Sequence, residues 1–373
     1  MIASAKKPTG HGGLRHPRAW VMWSLAVAYV VYKFQTQSSY AVLNSSIADS
    51  LSLTLSQVGE IGAIYAICYA VVTIPAGGLL DRYGARLVLS AGAASVALGA
   101  LIFAFARNAA FVVVGQALMG IGGAVGYPGL AYLTRIWFDV RHFGTVFGIA
   151  QTVAAMANTL GQAAIGYLIL AVTWKNVLLL QGLIGIFLLV ALVLLVREPE
   201  DKHRDSQQIA VRPSFWGGLF RDLKILSTQA LFWQVALISG LSFGTVLGVG
   251  IIWGIKLLVF KGFDPTTASN INSTLWFGFG TGAFLVHLVA DRLRSFKLTS
   301  IIFLSCDVIA LLMLTMLSQI PTIIAYGIFL SVGFFAGVNT MCYTMTTRFC
   351  DKAIAGTAFG LLTCMSFIAA ALL

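Results

Sequence analysis

Residues 77–86 read Gly-Gly-Leu-Leu-Asp-Arg-Tyr-Gly-Ala-Arg, a short charged turn that joins two long apolar stretches. A helix that crosses a bilayer needs about 20 mainly apolar residues, and each flanking stretch reaches that length. The turn therefore predicts a hairpin of two membrane-spanning helices. An Asp-Arg pair returns at residues 291–292, again directly after a long apolar stretch, which indicates that the hairpin is repeated.

The composition agrees with a protein that faces lipid. Of the 373 residues, 58% are hydrophobic and only 10% are charged, whereas about 25% are charged in a soluble domain. The first apolar stretch is too long for a cleaved signal peptide. The apolar stretches predict eleven spans, at residues 19–43, 57–80, 86–106, 109–134, 143–170, 174–196, 230–258, 266–290, 298–317, 321–346 and 353–373.

The chain carries a formal charge of +11, which alone would suit a nucleic-acid-binding protein. The basic residues lie instead in short clusters between apolar stretches, as orientation signals do, so we expect no nucleic-acid partner. With the N-terminus placed in the cytoplasm, nineteen Lys and Arg residues fall on the cytoplasmic side and four on the opposite side. This bias predicts a cytoplasmic N-terminus.

A charged stretch divides the chain into two halves of similar pattern. We expect a cytoplasmic tail at 1–18, a first bundle at 19–196, a cytoplasmic linker with an interfacial helix at 197–229, and a second bundle at 230–373. Three landmarks recur after about 210 residues: the Asp-Arg pair, an Arg that ends a span, and the pattern Gly-Thr-Val/Ala-Phe-Gly. Duplicated halves are typical of secondary transporters, whose substrate site lies between the halves.

Residues 77–86 also resemble the cytoplasmic signature of the major facilitator superfamily: Gly, three residues, Asp-Arg, one residue, Gly and then basic residues. With the span count and the central linker, the likeness implies an all-α membrane fold of two pseudo-symmetric six-helix bundles. The family has twelve spans, so the eleven predicted spans imply that the second bundle lacks its last helix. We therefore expect a C-terminally incomplete chain.

The same resemblance implies a cytoplasmic gate, with a simple topology anchor as the alternative. In the family, the acid of the signature faces the positive N-terminal end of span 11. Gly77 would let two helix backbones approach closely. In the second copy His287 and Arg294 replace the two glycines, which predicts a weaker lock there. The expected gate residues are Gly77, Asp81, Arg82, Gly84, Arg86, Arg135, Asp291, Arg292 and Arg348.

Span 1 carries a polar stripe with a lysine at its middle. Six polar residues between positions 29 and 44 fall within about 100° of one helix face. A lysine at the centre of a span costs about 2.5–3.5 kcal/mol to insert, so Lys33 needs a cavity or a partner. We favour contact with water or an anionic substrate. The alternative is a buried ion pair with Glu60 or Asp307.

Shorter polar stripes occur in other spans, where hydrogen bonds between helices are the alternative to ligand contact. Glu60, His287 and Asp307 are candidate proton sites. We expect no cofactor and no metal site, because the five cysteines show no ligand or redox spacing. The predicted substrate path comprises Tyr29, Lys33, Gln37, Tyr40, Gln116, Tyr127, Gln151, Asn158, Trp253, Asn339 and Tyr343.

These features predict a secondary active or facilitative transporter of the inner membrane that works by alternating access on a small anionic solute. Residues 127–128, 136–138 and 173–174 resemble family members that carry organic anions or phosphorylated metabolites. The expected partners are this solute and the lipid bilayer, and the protein is expected to be a monomer or a weak oligomer.

Two other functions stay open. One is a membrane scaffold or sensor that does not transport. The other is iron handling in a magnetosome membrane, because the overall texture of the chain resembles the MamH-type magnetosome facilitators. We do not expect an enzyme, because the sequence has no nucleophile–base pair, no set of metal ligands and no phosphate-binding loop.

Overall fold

The computed structural model describes residues 16–138, 140–197, 215–317, 320–350 and 354–372. These residues form eleven long helical segments, numbered α1 to α11, and a shorter linker helix, Phe215–Ser227. The long segments are Pro17–Leu51 (α1), Leu55–Leu80 (α2), Arg82–Ala104 (α3), Ala109–Trp137 (α4), Val140–Leu168 (α5), Trp174–Leu195 (α6), Ala230–Phe260 (α7), Pro265–Leu293 (α8), Phe296–Met316 (α9), Thr322–Ala336 with Val338–Phe349 (α10), and Ala355–Leu372 (α11).

The all-α fold is confirmed, and every helix lies where an apolar stretch or the interfacial pattern predicts one. Eight helices in the described ranges are long and apolar enough to cross a membrane. Helices α1 and α5 are not among the eight because polar residues interrupt their apolar runs, and α11 is a shorter apolar helix. The eleven crossings and the cytoplasmic N-terminus therefore stay predictions.

The two Asp-Arg turns differ in backbone conformation. In the first turn of α3, at the kink that separates it from α2, Gly84 takes φ 80° and ψ 162°, a conformation that glycine adopts without strain and other residues adopt only at a cost. Between α8 and α9, Arg294 takes φ 50° and ψ 26°, in the left-handed region. The second turn therefore places a side chain where the first has none, at a cost of roughly 1–2 kcal/mol.

Close backbone contacts and one shared break define the bundles. In the first bundle, a Cβ on Gly99 of α3 would stand 2.6 Å from the Gly115 carbonyl oxygen of α4. Helix α4 is interrupted at Ala124 and Val125, and α10 is interrupted at Gly337. The two breaks are about 213 residues apart, which is also the offset between the arginines that end spans 4 and 10. The internal repeat thus extends to the backbone.

The bundles meet along two seams, one between α2 and α11 and one between α5 and α8. In the α2–α11 seam, a Cβ on Gly77 would stand 3.1 Å from the Gly356 Cα atom. In the α5–α8 seam, a Cβ on Gly166 would stand 2.7 Å from the Ser269 hydroxyl oxygen. Close packing of α5 on α8 is therefore present, at the end of α5 that is remote from the Gly-Thr-Val-Phe-Gly pattern.

Candidate substrate site and gate

Lys33 lies at the middle of α1 with only 1% of its surface exposed. Its ammonium donates to the Tyr69 hydroxyl at 3.3 Å and stands 3.9, 4.9 and 4.6 Å from the ring centres of Phe34, Tyr69 and Tyr127. The aliphatic stem packs against Gly126 of α4. We call Phe34, Tyr69 and Tyr127 the aromatic cage. Contacts of this kind stabilise a desolvated ammonium by about 2 kcal/mol or more.

The structure does not form either ion pair considered for Lys33. Glu60 is exposed, and its carboxylate accepts from the Ser56 hydroxyl at 3.0 Å. Asp307 is 3% exposed on α9 and accepts from the Thr245 hydroxyl of α7 at 3.3 Å. Within the described residues no carboxylate lies within ion-pair distance of the Lys33 ammonium. The buried positive charge is therefore held by π faces and one hydroxyl.

The cage lies where the two bundles meet. The Phe34 ring packs edge-on against Trp276 of α8, with centres 5.5 Å apart. The Tyr69 ring stacks on Phe367 of α11, with centres 3.8 Å apart. Residues of α1, α2 and α4 in the first bundle thus share one aromatic cluster with α8 and α11 in the second. A movement of one bundle against the other must change the surroundings of Lys33.

A narrow cavity opens one helical turn from Lys33. Its lining includes Gln37, Tyr40, Tyr65 and Gln116 of the first bundle, and on the second-bundle side it includes Phe367 and apolar residues of α7. The Gln37 side-chain oxygen and the Tyr65 hydroxyl are buried and have no hydrogen-bond partner in the described structure. The free space is about 20 Å³, which holds about one water molecule. This conformation is therefore closed around the site.

The remaining predicted path residues are mostly held by hydrogen bonds between helices. The Tyr29 hydroxyl donates to the Gly122 carbonyl oxygen at 2.6 Å, and Tyr40 donates to the Val58 carbonyl oxygen at 2.7 Å. Asn158 accepts from the Ser38 hydroxyl at 2.5 Å. In the second bundle, the Asn339 amide donates to the Ser239 hydroxyl at 2.8 Å, and the Tyr343 hydroxyl pairs with that of Thr363 at 2.8 Å.

Two predicted path residues stand apart from these bonds. Gln151 of α5 is buried, and its side-chain oxygen has no partner among the described atoms. Trp253 lies at the end of a π-helical segment, Gly248–Trp253, and packs near Gly59 at the start of α2. The structure thus brings Lys33 and Tyr127 together and places Gln37, Tyr40 and Gln116 at the cavity. It does not bring Trp253 to Lys33.

Sequence reasoning missed Phe34, Tyr65, Tyr69 and Phe367. Aromatic residues in an apolar span carry no charge that would distinguish them from their apolar neighbours. Tyr65 and Tyr69 are four residues apart, so their hydroxyls share one face of α2. A search for tyrosine pairs at this spacing, opposite a mid-span lysine, could have found them.

Of the predicted gate residues, Gly77 lies in the α2–α11 seam, whereas Asp291 and Arg292 lie at the end of α8. Gly77 contacts Gly356, as described above, and Gly84 makes the turn. Arg82, Arg86, Arg135, Asp291 and Arg292 are exposed. The Arg82 guanidinium lies 5.6 Å from the Tyr83 ring centre, and that of Arg135 lies 5.9 Å from the Tyr132 ring centre. The side chains of Asp81 and Arg348 lie outside the described part of the structure.

The linker helix adds a contact that the sequence did not suggest. Asp222 of this helix is 9% exposed and accepts from the Thr357 hydroxyl, in the first turn of α11, at 3.5 Å. Arg221 pairs with the same carboxylate at 3.1 Å. A carboxylate from the linker therefore reaches the N-terminal end of α11, where the helix dipole favours negative charge.

Of the other two candidate proton sites, His287 is half-buried and Asp307 is buried. His287 Nε2 lies 3.1 Å from the Thr344 hydroxyl of α10. Asp307 Oδ1 is buried without a hydrogen-bond partner, and no cation pairs with this carboxylate in the described ranges. In the same residues, no three His, Cys, Asp or Glu side chains come together as metal ligands. None of the five cysteines forms a disulfide in the described structure.

Comparison with known proteins assigns the family. The sequence model of the Major Facilitator Superfamily matches residues 25–373. The chain belongs to this superfamily. The probable L-galactonate transporter of Escherichia coli K12 is 26% identical over 170 residues, which is 46% of this chain and 38% of that protein. The probable galactarate/D-glucarate transporter GarP of the same strain is 22% identical over 199 residues, 52% of this chain and 45% of that protein. The chain thus aligns with less than half the length of these facilitators.

Solved structures agree with the facilitator fold. The xylose transporter XylE from E. coli, in a partially occluded inward open conformation, superposes with a TM-score of 0.71 at 13% identity. The superposition covers 96% of this chain and 90% of XylE. At this identity the likeness concerns the fold alone. It confirms a major facilitator architecture for this all-helical chain.

Proposed function

We propose that this chain is a membrane transporter that works by alternating access and carries a small anionic solute. The observation that carries the proposal is the buried Lys33 ammonium, which lies between the bundles without a carboxylate partner in the described residues. Two unit charges 4 Å apart attract each other by about 4 kcal/mol at an effective dielectric constant near 20. An anion that enters the cavity gains this attraction, whereas a cation is repelled.

The names of relatives support the proposal without fixing the solute. Galactonate, galactarate and glucarate, which appear in the names of the two Escherichia coli proteins, are all anions. The two seams support the mechanism. Separation of α2 from α11 would open the closed cavity toward one side, and separation of α5 from α8 would contribute to access from the other. We place the protein in the inner membrane, with the Asp-Arg turns in the cytoplasm.

A flux assay tests the proposal. Purified protein in proteoliposomes is expected to take up radiolabelled L-galactonate, galactarate or another small organic anion. Lys33→Gln keeps a polar side chain, one bond shorter than that of lysine, but removes the charge. Loss of one member of a buried charge pair costs about 2–5 kcal/mol, so uptake at low solute concentration should fall roughly 30-fold or more.

Lys175→Gln is the matched control. Lys175 is exposed at the start of α6 and also stands over an aromatic ring, 5.3 Å from the centre of Trp174. This variant should transport like the parent protein. If no anion in a broad panel is taken up, or if uptake is the same in Lys33→Gln as in the parent protein, the proposal is wrong. Absence of any uptake would favour a scaffold or sensor role. The iron-handling alternative has no support from the described residues or from the relatives named above.

A further inference from the structure

We infer that the solute is a polyhydroxy monocarboxylate, with one negative charge and several hydroxyl groups. This inference rests on the proposed transport of an anion and adds the charge and the hydrogen-bonding groups of the solute. Two independent observations carry it. One is the number of buried charges at the site, and the other is the set of polar atoms that lack a partner there.

The charge at the site is a single positive one. In the described structure, Lys33, Asp222 and Asp307 are the buried charged residues. Asp222 lies on the linker helix, and Asp307 lies on α9 with Thr245 as its partner. Neither contacts the aromatic cage, so Lys33 alone sets the charge of the cavity. One carboxylate neutralises this charge. A second carboxylate would have no second buried cation among the described residues, and an uncompensated buried charge is strongly unfavourable.

The unpaired polar atoms require hydrogen-bond donors on the solute. The Gln37 side-chain oxygen is an acceptor, and it is buried without a donor. The Tyr65 hydroxyl, also without a partner, can donate or accept. A carboxylate only accepts, so it cannot satisfy Gln37. An ammonium group on the solute could donate, but it would add a positive charge beside Lys33. A neutral hydroxyl is the donor that fits both conditions.

The positions of these groups agree with one elongated solute. Gln37 follows Lys33 by four residues on α1, and Tyr65 precedes Tyr69 by four residues on α2, so both lie one helical turn from the cage. One turn is about 5.4 Å, the length of a chain of a few carbon atoms. A carboxylate at the Lys33 ammonium therefore places the hydroxyls of the same molecule beside Gln37 and Tyr65. The rings of Tyr40 and Phe367, which line the cavity, can contact its C–H groups.

A binding titration with two series of matched compounds tests the inference. Purified protein is titrated with four compounds of six carbon atoms each. L-galactonate has one carboxylate and hydroxyl groups, galactarate has a second carboxylate, hexanoate has one carboxylate but no hydroxyl groups, and galactitol has hydroxyl groups but no charge. D-glycerate, tartronate, propionate and glycerol repeat the series at three carbons. We expect the polyhydroxy monocarboxylate of at least one series to bind at least tenfold more tightly than its three counterparts.

Two variants test whether Lys33 and Tyr65 cause the preference for a polyhydroxy monocarboxylate. Lys33→Gln should abolish the advantage of the monocarboxylate over the neutral polyol. Tyr65→Phe removes one hydroxyl group and should reduce the advantage over hexanoate or propionate about three- to tenfold, without changing the preference for one charge. Tyr326→Phe on α10, a half-buried position outside the cavity, should leave both ratios unchanged.

The outcomes separate the inference from the proposed function. Equal or tighter binding of the dicarboxylate, or of hexanoate or propionate, overturns the inference while anion transport stands. Binding of neither monocarboxylate series, with another anion transported, also overturns it alone. Equal binding of the polyol, together with unchanged affinities in Lys33→Gln, overturns both the inference and the proposed anion transport.

Discussion

Replacement of Gly360 by alanine should force the α2–α11 seam apart. A Cβ at this position would stand 2.6 Å from the Thr73 carbonyl oxygen and 3.1 Å from the Ile74 Cα atom. Ordinary van der Waals contact begins near 3.4 Å, so the helices must separate by about 0.8 Å. Both opposing atoms belong to the backbone, and therefore no side-chain rotation can relieve the contact.

The cost falls on the closed state alone. Overpacking of a well-packed contact costs about 1–3 kcal/mol, and this cost disappears when α2 and α11 are apart. Under alternating access, the equilibrium should shift toward the state open at this seam by roughly 5- to 150-fold, because each 1.4 kcal/mol is a factor of ten. The alanine also favours the helix by about 1 kcal/mol in both states, which leaves their ratio unaffected.

Cys364 is a built-in reporter for this opening. It lies one helical turn from Gly360 on α11 and is 6% exposed. In a variant that keeps only this cysteine, the rate of alkylation by a water-soluble maleimide should rise in proportion to the open population. We therefore expect Gly360→Ala to accelerate labelling roughly 5- to 150-fold.

Gly148→Ala provides the matched control. Gly148 closes the Gly-Thr-Val-Phe-Gly pattern on α5 as Gly360 closes the Gly-Thr-Ala-Phe-Gly pattern on α11. A Cβ at Gly148 would meet no atom within 4 Å, so labelling of Cys364 should not change. Equal labelling rates in the two variants would refute the idea that the α2–α11 seam is a closed gate held by backbone contact.

Three further substitutions test contacts outside the cage. Arg294→Gly should raise the free energy of unfolding in detergent by about 0.5–1 kcal/mol, because glycine adopts the left-handed backbone of the second turn without strain; an unchanged denaturation midpoint would contradict this. Asp222→Asn should loosen the linker helix from Thr357, at about 1 kcal/mol, and increase cleavage of the linker by added protease, whereas parent-like cleavage would exclude a docking role. Asn272→Leu removes the donor to the Gly250 carbonyl oxygen at 2.8 Å and to the Gln162 side-chain oxygen at 3.1 Å, and should lower the melting temperature, with a cost of roughly 1–2 kcal/mol; equal melting would show that the remaining Gln162 donor or water satisfies these oxygens.

The helices were predictable because membrane insertion depends on length and apolarity, which a sequence states directly. The polar stripe of span 1 was predictable for a similar reason. A helix repeats every 3.6 residues, so the residues that share a face with Lys33 follow from counting. All six stripe residues are buried in the structure. The spacing of about 210 residues between the two halves likewise identified the equivalent Asp-Arg turns. The breaks in α4 and α10 have nearly the same spacing.

The partners of these residues could not be predicted, because they depend on how helices rotate and cross. Tyr69 and Phe367 are about 300 residues apart, and no periodicity relates them. The π-helical segment in α7 is a second example. An extra residue per turn leaves the Gly250 carbonyl oxygen free to accept from Asn272 at 2.8 Å and Gln162 at 3.2 Å, and neither the glycines nor the hydropathy of α7 distinguishes this turn.

The two seams close by different chemistry, although the halves are copies. The α2–α11 seam brings glycine backbones into contact at Gly77, and the equivalent position of the second copy is His287, whose ring bonds to Thr344 of its own bundle. The α5–α8 seam instead joins the bundles through the buried amides of Gln162 and Asn272, at 3.1 Å.

Backbone packing has little directional preference but is lost steeply with distance, whereas an amide pair can exchange its partner for water when the helices part. The two seams therefore need not open with equal ease. Within the proposed alternating access, the α2–α11 seam is the more sensitive to added side-chain volume. The α5–α8 seam is the more sensitive to loss of a hydrogen-bonding group. A cycle that combines Gly360→Ala with Asn272→Leu should then show opposite shifts in Cys364 labelling that partly cancel, because each substitution destabilises the closed form of its own seam and so favours opening at that seam over the other. Additive acceleration by both substitutions would mean that the seams open together and that access does not alternate between them.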